Sequence, residues 1–300
     1  MNSYPLVSIA LCTYNGAVHL EEQLDSIVNQ TYPNLEVVLV DDGSKDNTHE
    51  ILKSYAAKYH NFKIYQNEFN LGYIKNFEKA ISLCSGEFIA LCDQDDVWLE
   101  NKIALQVSEI GDNILVYHDS AFIDDKGASL DRKISDVRRF YAGNDSRYFL
   151  FENCVSGHTV LFHKKLIPYL DNFTGLVMHD WWLAYVATNI GSIAFSSLCL
   201  VRYRQHSNMS TDILRQKKKI REGRKISFAK FIERIRIFSN YPYNKHQKFT
   251  FHLLKLLEAG GSENQPNINL FLFILKHKEI LLFMQRKGFW SKMNFIRKFL

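Results

Sequence analysis

Cysteine is scarce and scattered: Cys12, Cys84, Cys92, Cys154 and Cys199 are spread over 300 residues with no CxxC spacing. An odd, dispersed set argues against a disulfide framework and against a thiolate zinc site. Most of these thiols sit in apolar runs, which reads as buried, reduced cysteine in a cytoplasmic protein. No stretch reaches the roughly 18 apolar residues of a membrane span. The N-terminus shows neither the basic flank nor the apolar core of a secretory signal. No GxGxxG follows the first apolar run, which counts against a dinucleotide-binding dehydrogenase.

What is present is ordinary globular composition, somewhat rich in aromatic residues, with 22 Phe and 15 Tyr. The length suits one large or two modest domains. A formal charge of +5 hides a division. Residues 1–210 hold 17 Lys/Arg against 26 Asp/Glu, whereas residues 211–300 hold 20 against 6. An acidic body (1–210) is thus expected to carry a basic C-terminal region (211–300).

Four short apolar runs, 6–12, 36–40, 62–66 and 88–92, have the length of buried strands. Three of them are followed by apolar residues at helical spacing: Leu20, Leu24, Ile27 and Val28; Ile51, Leu52, Tyr55 and Tyr59; Ile74, Phe77, Ile81 and Leu83. A polar segment beyond Trp98 supplies the fourth helix. Four βα units in series predict an α/β fold with a mainly parallel sheet flanked by helices. Ligands in such sheets bind beyond the carboxyl ends of the strands. Past residue 111, strands are expected at 114–124, 158–163 and 193–206, with a polar, loop-rich insertion at 124–140 and an apolar helix headed by His179-Asp180-Trp181-Trp182.

The polar groups at these strand ends carry the chemistry. Thr13 and Asn15 stand at the first strand-to-helix turn, as ligand-facing groups or as turn and cap residues. Asp41 and Asp42 close the second strand, where a carboxylate can accept from a ribose hydroxyl or a base N–H, or simply shape the turn. Asp93, Asp95 and Asp96 follow the fourth strand. Three carboxylates in four residues either make a solvated turn with a helix N-cap or repel one another unless a cation or a donor-rich partner neutralises them, and oxygen ligands suit Mg2+ or Mn2+. Asp180 is either a helix N-terminal charge or a base in a partly desolvated pocket. The last strand delivers Arg202, Arg204 and His206.

Taken together, SIALCTYNG, VVLVDDGSKDNT, the NxG stretch Asn70–Gly72, LCDQDDVW and HDWW resemble the ordered motifs of a family 2 glycosyltransferase of the GT-A fold, over roughly residues 6–208. The resemblance implies that Thr13, Tyr14 and Asn15 line a nucleotide pocket with Asn70 and Gly72, and that Asp42 contacts the base or ribose. It makes Asp93 and Asp95 the DXD motif that binds nucleotide sugar and a divalent metal, Mn2+ or Mg2+, with Asp95 the direct ligand. Asp180 matches the general base of the inverting enzymes. The YRQHSN segment is similar to the closing motif of rhamnosyltransferase-like members, so that Arg204 or His206 would help hold the diphosphate or the metal. The QxxRW motif of the processive synthases is absent, which implies single-sugar addition. The implied donor is dTDP-rhamnose or a UDP-hexose. The implied acceptor is a saccharide or a lipid-linked glycan of cell-surface polysaccharide synthesis.

Residues 215–238 place Ile226, Phe231, Ile232 and Ile235 among many Lys and Arg, as a basic amphipathic helix. Such a helix can lie on an anionic membrane, here the inner face of the plasma membrane, or cap the first domain. Residues 268–284 read as a buried or interfacial helix, and GGSENQPN at 260–267 as a linker. Two other classes compete: a nucleic-acid-binding protein gripping phosphates with its basic tail, and a nucleotidyltransferase. The tail lacks exposed-looking aromatics between its charges, so no nucleic acid is expected. The first loop, TYNGAVHLEEQ, lacks the Arg or Lys that a triphosphate requires.

Overall fold

The first apolar run of the chain lies inside the sheet. In the computed structural model, which describes residues 4–170, 175–206, 228–259, 267–286 and 288–297, that run is strand β1 (Val7–Thr13), buried along its whole length. Strands β2 (Leu35–Asp41), β3 (Phe62–Gln66) and β4 (Phe88–Cys92) join it in parallel, in the order β3-β2-β1-β4. Helices α1 (Ala17–Val28), α2 (Thr48–Lys58) and α3 (Tyr73–Leu83) return the chain between them.

Beyond β4 come β5 (Val97–Trp98), α4 (Lys102–Glu109), β6 (Leu115–Ile123), β7 (Ser129–Lys133), β8 (Leu161–His163), α5 (His179–Ile190) and β9 (Ile193–Arg204). They extend the sheet as β4-β8-β6-β9-β5, with β7 hydrogen-bonded to β6. Because β8 is antiparallel to both β4 and β6, and β6 is parallel to β9, strands β6 and β9 run in the same sense as β4. The sheet is therefore mixed and mostly parallel, flanked by helices. One edge collects the carboxyl ends of β1, β2, β4, β6 and β9, and so gathers Thr13, Asp42, Asp93, Arg204 and His206.

Two stretches differ from the sequence pattern for clear reasons. The insertion at 124–140 contains β7, whose residues Ser129, Asp131, Arg132 and Lys133 are exposed, so no apolar alternation advertises it. The expected strand at 158–163 begins later, because Gly157–Thr159 form a short 3-10 turn that lifts His158 off the strand.

Successive β1 side chains face opposite sides. Val7, Ile9 and Leu11 pack with Leu20, Leu24, Leu52 and Ile103 under α1, α2 and α4. Ala10 joins Phe77, Ile81, Leu183 and Tyr185 of α3 and α5 on the other face. The C-terminal helices α6 (Phe228–Ser239), α7 (Gln247–Ala259), α8 (Ile268–Lys276), α9 (Lys278–Leu281) and α10 (Phe289–Ile296) complete that second cluster through Ile235, Phe238, Leu253, Leu257, Ile274 and Leu282. Phe238 stacks on Tyr185 at 4.1 Å, and its carbonyl accepts from the Tyr185 hydroxyl at 2.8 Å. Burying one such side chain is worth about 2–3 kcal/mol.

The apolar face of α6 is therefore turned onto the body, with Phe231 and Ile232 half-buried beside it. The densest basic run, 215–227 including Ile226, and the linker positions 260–266 lie outside the described residues. Over 268–284 the expected buried helix is present as α8 and α9, with Leu270, Ile274, Leu281 and Leu282 inward. Among the described residues, no helix is long and apolar enough to cross a membrane. All five cysteines are free thiols.

Candidate active site

The first two turns are bound into one rim. The Thr13 hydroxyl is buried and donates to Asp41 Oδ1 at 3.0 Å, while Asp41 also accepts from Ser44 N at 3.1 Å and Gln66 Nε2 at 3.2 Å. Asn15 has φ 48°, in the left-handed region that Asn tolerates. Its N–H donates to Ser44 Oγ and its Oδ1 accepts from Lys45 N. Tyr14 is 45% exposed, and its backbone exchanges two hydrogen bonds with the Gln94 amide (2.8 and 3.2 Å), which ties this rim to the acidic loop.

Asp42, expected to meet the base or ribose, is buried. Its oxygens accept from Asn67 Nδ2 at 2.7 Å, Leu71 N at 2.8 Å and Gly72 N at 2.9 Å. Asn70 Oδ1 accepts from the same Gly72 N–H at 2.9 Å. Asp42 thus fixes the Asn70–Gly72 loop, in which Gly72 adopts φ 80°.

The three carboxylates after β4 take three different environments. Asp96 is fully buried: Oδ1 accepts from Arg204 N at 3.0 Å, and Oδ2 has no hydrogen-bond partner among the described residues. Burial, reinforced by the Asp95 and Asp93 charges, pushes its carboxyl well above the ordinary range despite the Arg204 N–H. Asp95 accepts from or shares a proton with His206, Oδ2 to Nε2 at 2.8 Å. Asp93 is the most open of the three, and burial would raise it. The facing His158 ring and the nearby His179 outweigh that and hold its carboxyl below the usual value.

Arg204, expected at the diphosphate, lies instead under this loop. It is 2% exposed, and its guanidinium donates to the backbone oxygens of Asp95 (2.8 Å), Asp124 (3.3 Å) and Asp125 (3.0 Å) and to the Glu22 carboxylate. A guanidinium so engaged braces the acidic loop from behind. Its near neighbour His206 reaches the Asp95 carboxylate.

His158 is a member that periodicity concealed, because it opens an apolar run. Its Nδ1 is 3.8 Å from Asp93 Oδ2 and 3.7 Å from Asp96 Oδ2. Its Nε2 lies 2.9 Å from Ser120 Oγ, and its ring packs on Tyr203 at 4.3 Å. Among the described residues, Asp93, Asp96 and His158 form a group whose ligand atoms all lie within 4.8 Å of one another. Carboxylates suit Mn2+ or Mg2+, the imidazole nitrogen suits Mn2+ better than Mg2+, and an unpartnered buried carboxylate oxygen fits a bound cation. The serine that holds the far nitrogen of His158 is the partner a metal-binding histidine requires.

Asp180 stands in the first turn of α5 and accepts from Trp181 N at 2.6 Å. Burial raises its carboxyl above the ordinary value, and the Asp93 charge adds to the rise. His179, the Trp181 N–H and Arg138 oppose it without cancelling it. The two indoles look elsewhere: Trp181 Nε1 donates to Phe149 O at 2.6 Å under the Arg234 guanidinium, and Trp182 packs beside Tyr185 and Tyr241. Asp180 and the acidic loop meet through a short physical path. Gly157 adjoins His158, and a Cβ on Gly157 would sit 2.8 Å from Nε2 of His179, the residue before Asp180.

A family model for "Glycosyl transferase family 2" matches residues 8–169. The chain belongs to that family. It is 32% identical over 219 residues to an uncharacterised glycosyltransferase of Rickettsia typhi, covering 70% of this chain and 68% of that one. It is 28% identical over 225 residues to the UDP-Glc:alpha-D-GlcNAc-diphosphoundecaprenol beta-1,3-glucosyltransferase WfgD of Escherichia coli, covering 73% and 85%. Its fold resembles the S. aureus TarS 1-349 structure in complex with UDP-GlcNAc, with TM-score 0.60, 19% identity, and 87% and 74% of the two chains covered. A GT-A fold and glycosyltransferase activity follow for this family 2 chain. The nucleotidyltransferase reading is set aside.

Proposed function

We propose that the chain is an inverting glycosyltransferase that moves one sugar from a nucleotide-diphosphate donor to a saccharide or lipid-linked glycan. The observation that carries this reading is the approach of Asp180 to the Asp93–Asp96 loop across the Gly157–His158 turn. The donor diphosphate sits at the loop, and the acceptor hydroxyl meets Asp180. That carboxylate removes the hydroxyl proton as the oxygen attacks the anomeric carbon from the face opposite the leaving group, which inverts the configuration. Tyr14, Asn15 and the Asn70–Gly72 loop line the nucleotide side, with Thr13, Asp42 and Arg204 as the buried braces behind them.

Asp95 and His206 keep 22% and 13% of their side chains exposed, whereas Asp96 and His158 keep 0% and 2%. Asp93 belongs both to the close-set group with Asp96 and His158 and to the more open rim, so a cation that also touches substrate would be held by Asp93 with Asp95 and His206 on the open side, and with Asp96 and His158 behind it. Bound there, a divalent ion neutralises the charge growing on the departing nucleoside diphosphate.

The substrates named for WfgD and the nucleotide sugar in the TarS complex favour a UDP-sugar donor and a diphosphate-linked lipid acceptor. HDWW and YRQH, whose following Ser207 and Asn208 lie outside the described residues, favour dTDP-rhamnose. A donor screen scored by nucleotide release with Mn2+ or Mg2+ decides between them. Release that depends on both acceptor and metal is expected. No release with any of UDP-glucose, UDP-N-acetylglucosamine or dTDP-rhamnose, or a rate untouched by EDTA, contradicts the reading.

A further inference from the structure

We infer that the ring of His179 reads a hydroxyl of the transferred sugar and so sets donor specificity. The inference rests on the transferase reading above. His179 is 5% exposed, and its ring lies against Phe77 at 4.2 Å with the edge of Tyr73 at 6.1 Å. Neither ring nitrogen has a hydrogen-bond partner among the described residues. Burying a donor and an acceptor unpaired is costly, and such a pair persists where a ligand completes it.

The place of this ring identifies the ligand. On one side His179 adjoins Asp180. On the other, its Nε2 faces the bare backbone of Gly157, beside His158 and the Asp93 carboxylate. The transferred sugar is attached to the diphosphate at the acidic loop and is attacked by the hydroxyl at Asp180. A group between those two points therefore faces the donor's sugar ring, not its nucleotide. Burial holds the His179 pKa below its ordinary value, so the ring is neutral and offers one N–H and one lone pair. A hydroxyl, which both gives and takes a hydrogen bond, complements it. Both nitrogens are closed off from solvent, and the backbone that Gly157 turns toward Nε2 carries no side chain.

The test uses the full chain and whichever of UDP-glucose, UDP-N-acetylglucosamine and dTDP-rhamnose the wild type turns over, with deoxy forms of that donor. His179→Phe keeps the stacking on Phe77 and removes both nitrogens. It should bind the free nucleotide within about twofold of wild type, lose about 100-fold in kcat/KM for the intact donor, and become indifferent to the one hydroxyl whose removal penalises the wild type. His179→Gln, which returns an amide near Nε2, should recover part of both. Gly157→Ala, whose methyl would press on Nε2, should show the same selective loss. An unchanged deoxy-sugar profile in His179→Phe overturns the inference, as does a parallel loss of free-nucleotide binding. Should that variant not fold, an unaltered profile in His179→Gln overturns it equally. If the wild type transfers no sugar from any donor, the transferase reading itself fails.

Discussion

Asp180 and Arg204 show how differently two expected site residues were legible. The sequence left Asp180 open between a helix charge and a base. Its raised pKa, first from burial and then from Asp93, now has a kinetic consequence. A base must be deprotonated, so kcat/KM should fall as pH drops through a value above the ordinary carboxyl range, where an exposed aspartate would still be ionised. A pH–rate profile with no acid limb above that range contradicts this role. Arg204 gave the opposite lesson, because a strand-end arginine looks the same in sequence whether it faces substrate or supports a loop. Its acceptors come from Glu22, Asp95, Asp124 and Asp125, far apart in the chain. Arg204→Met should cost about 1–3 kcal/mol of stability, since it takes their donor from the backbone oxygens of Asp95, Asp124 and Asp125, while Glu22 is itself half-exposed. Urea denaturation checks it, and an unchanged midpoint would mean the guanidinium serves only substrate.

Among the elements, the four βα units were readable because each pairs a buried apolar run with helically spaced apolar residues. Beyond β4, the strands β6, β8 and β9 were placed but not β5 or β7, nor the strand order, since the pairing of β8 between β4 and β6 leaves no local trace. A polar cross-link at the amino end of the sheet was likewise invisible. Glu36 on β2 accepts from Ser8 of β1, from Ser85 N (2.5 Å) and Oγ (2.8 Å) before β4, and from Lys63 of β3 at 2.9 Å. Burial would raise this carboxyl, but the bonds from Ser8, Lys63 and Ser85 bring it down to about 2. A depressed carboxyl stabilises the fold above its unfolded pKa near 4.3, and that stabilisation is lost as pH falls toward about 2. Glu36→Gln should therefore lose about 2–3 kcal/mol at pH 7, and the gap to wild type should shrink by pH 3. A gap independent of pH would contradict the ionic account.

For the whole molecule, charge division marked residues 211–300 as distinct, but apolar burial ties the described part of that region to the body. Phe238, Ile235 and Leu253 lie in one cluster with Trp182 and Tyr185 of α5. We propose that residues 1–210 depend on this cover: a chain ended at 210 should expose the α5 face and melt at lower temperature, or be recovered only as aggregate. A truncated chain with wild-type thermal stability would show two independent domains. Attachment to a membrane is separable from that packing. The full chain is expected to float with anionic vesicles at low salt and to be released by high salt, because each surface-proximal Lys or Arg contributes about 1 kcal/mol. No flotation at low salt would end that proposal.

The joining of Asp180 to the acidic loop as one catalytic centre is tested most directly by Asp180→Asn, with transfer and nucleotide binding measured on the same folded protein. Transfer should drop by about 10³-fold or more while the affinity for UDP with Mn2+ stays within about twofold. Transfer near the wild-type rate, with folding intact, would show that the proton leaves by another group and that the two halves of this edge are not one active site.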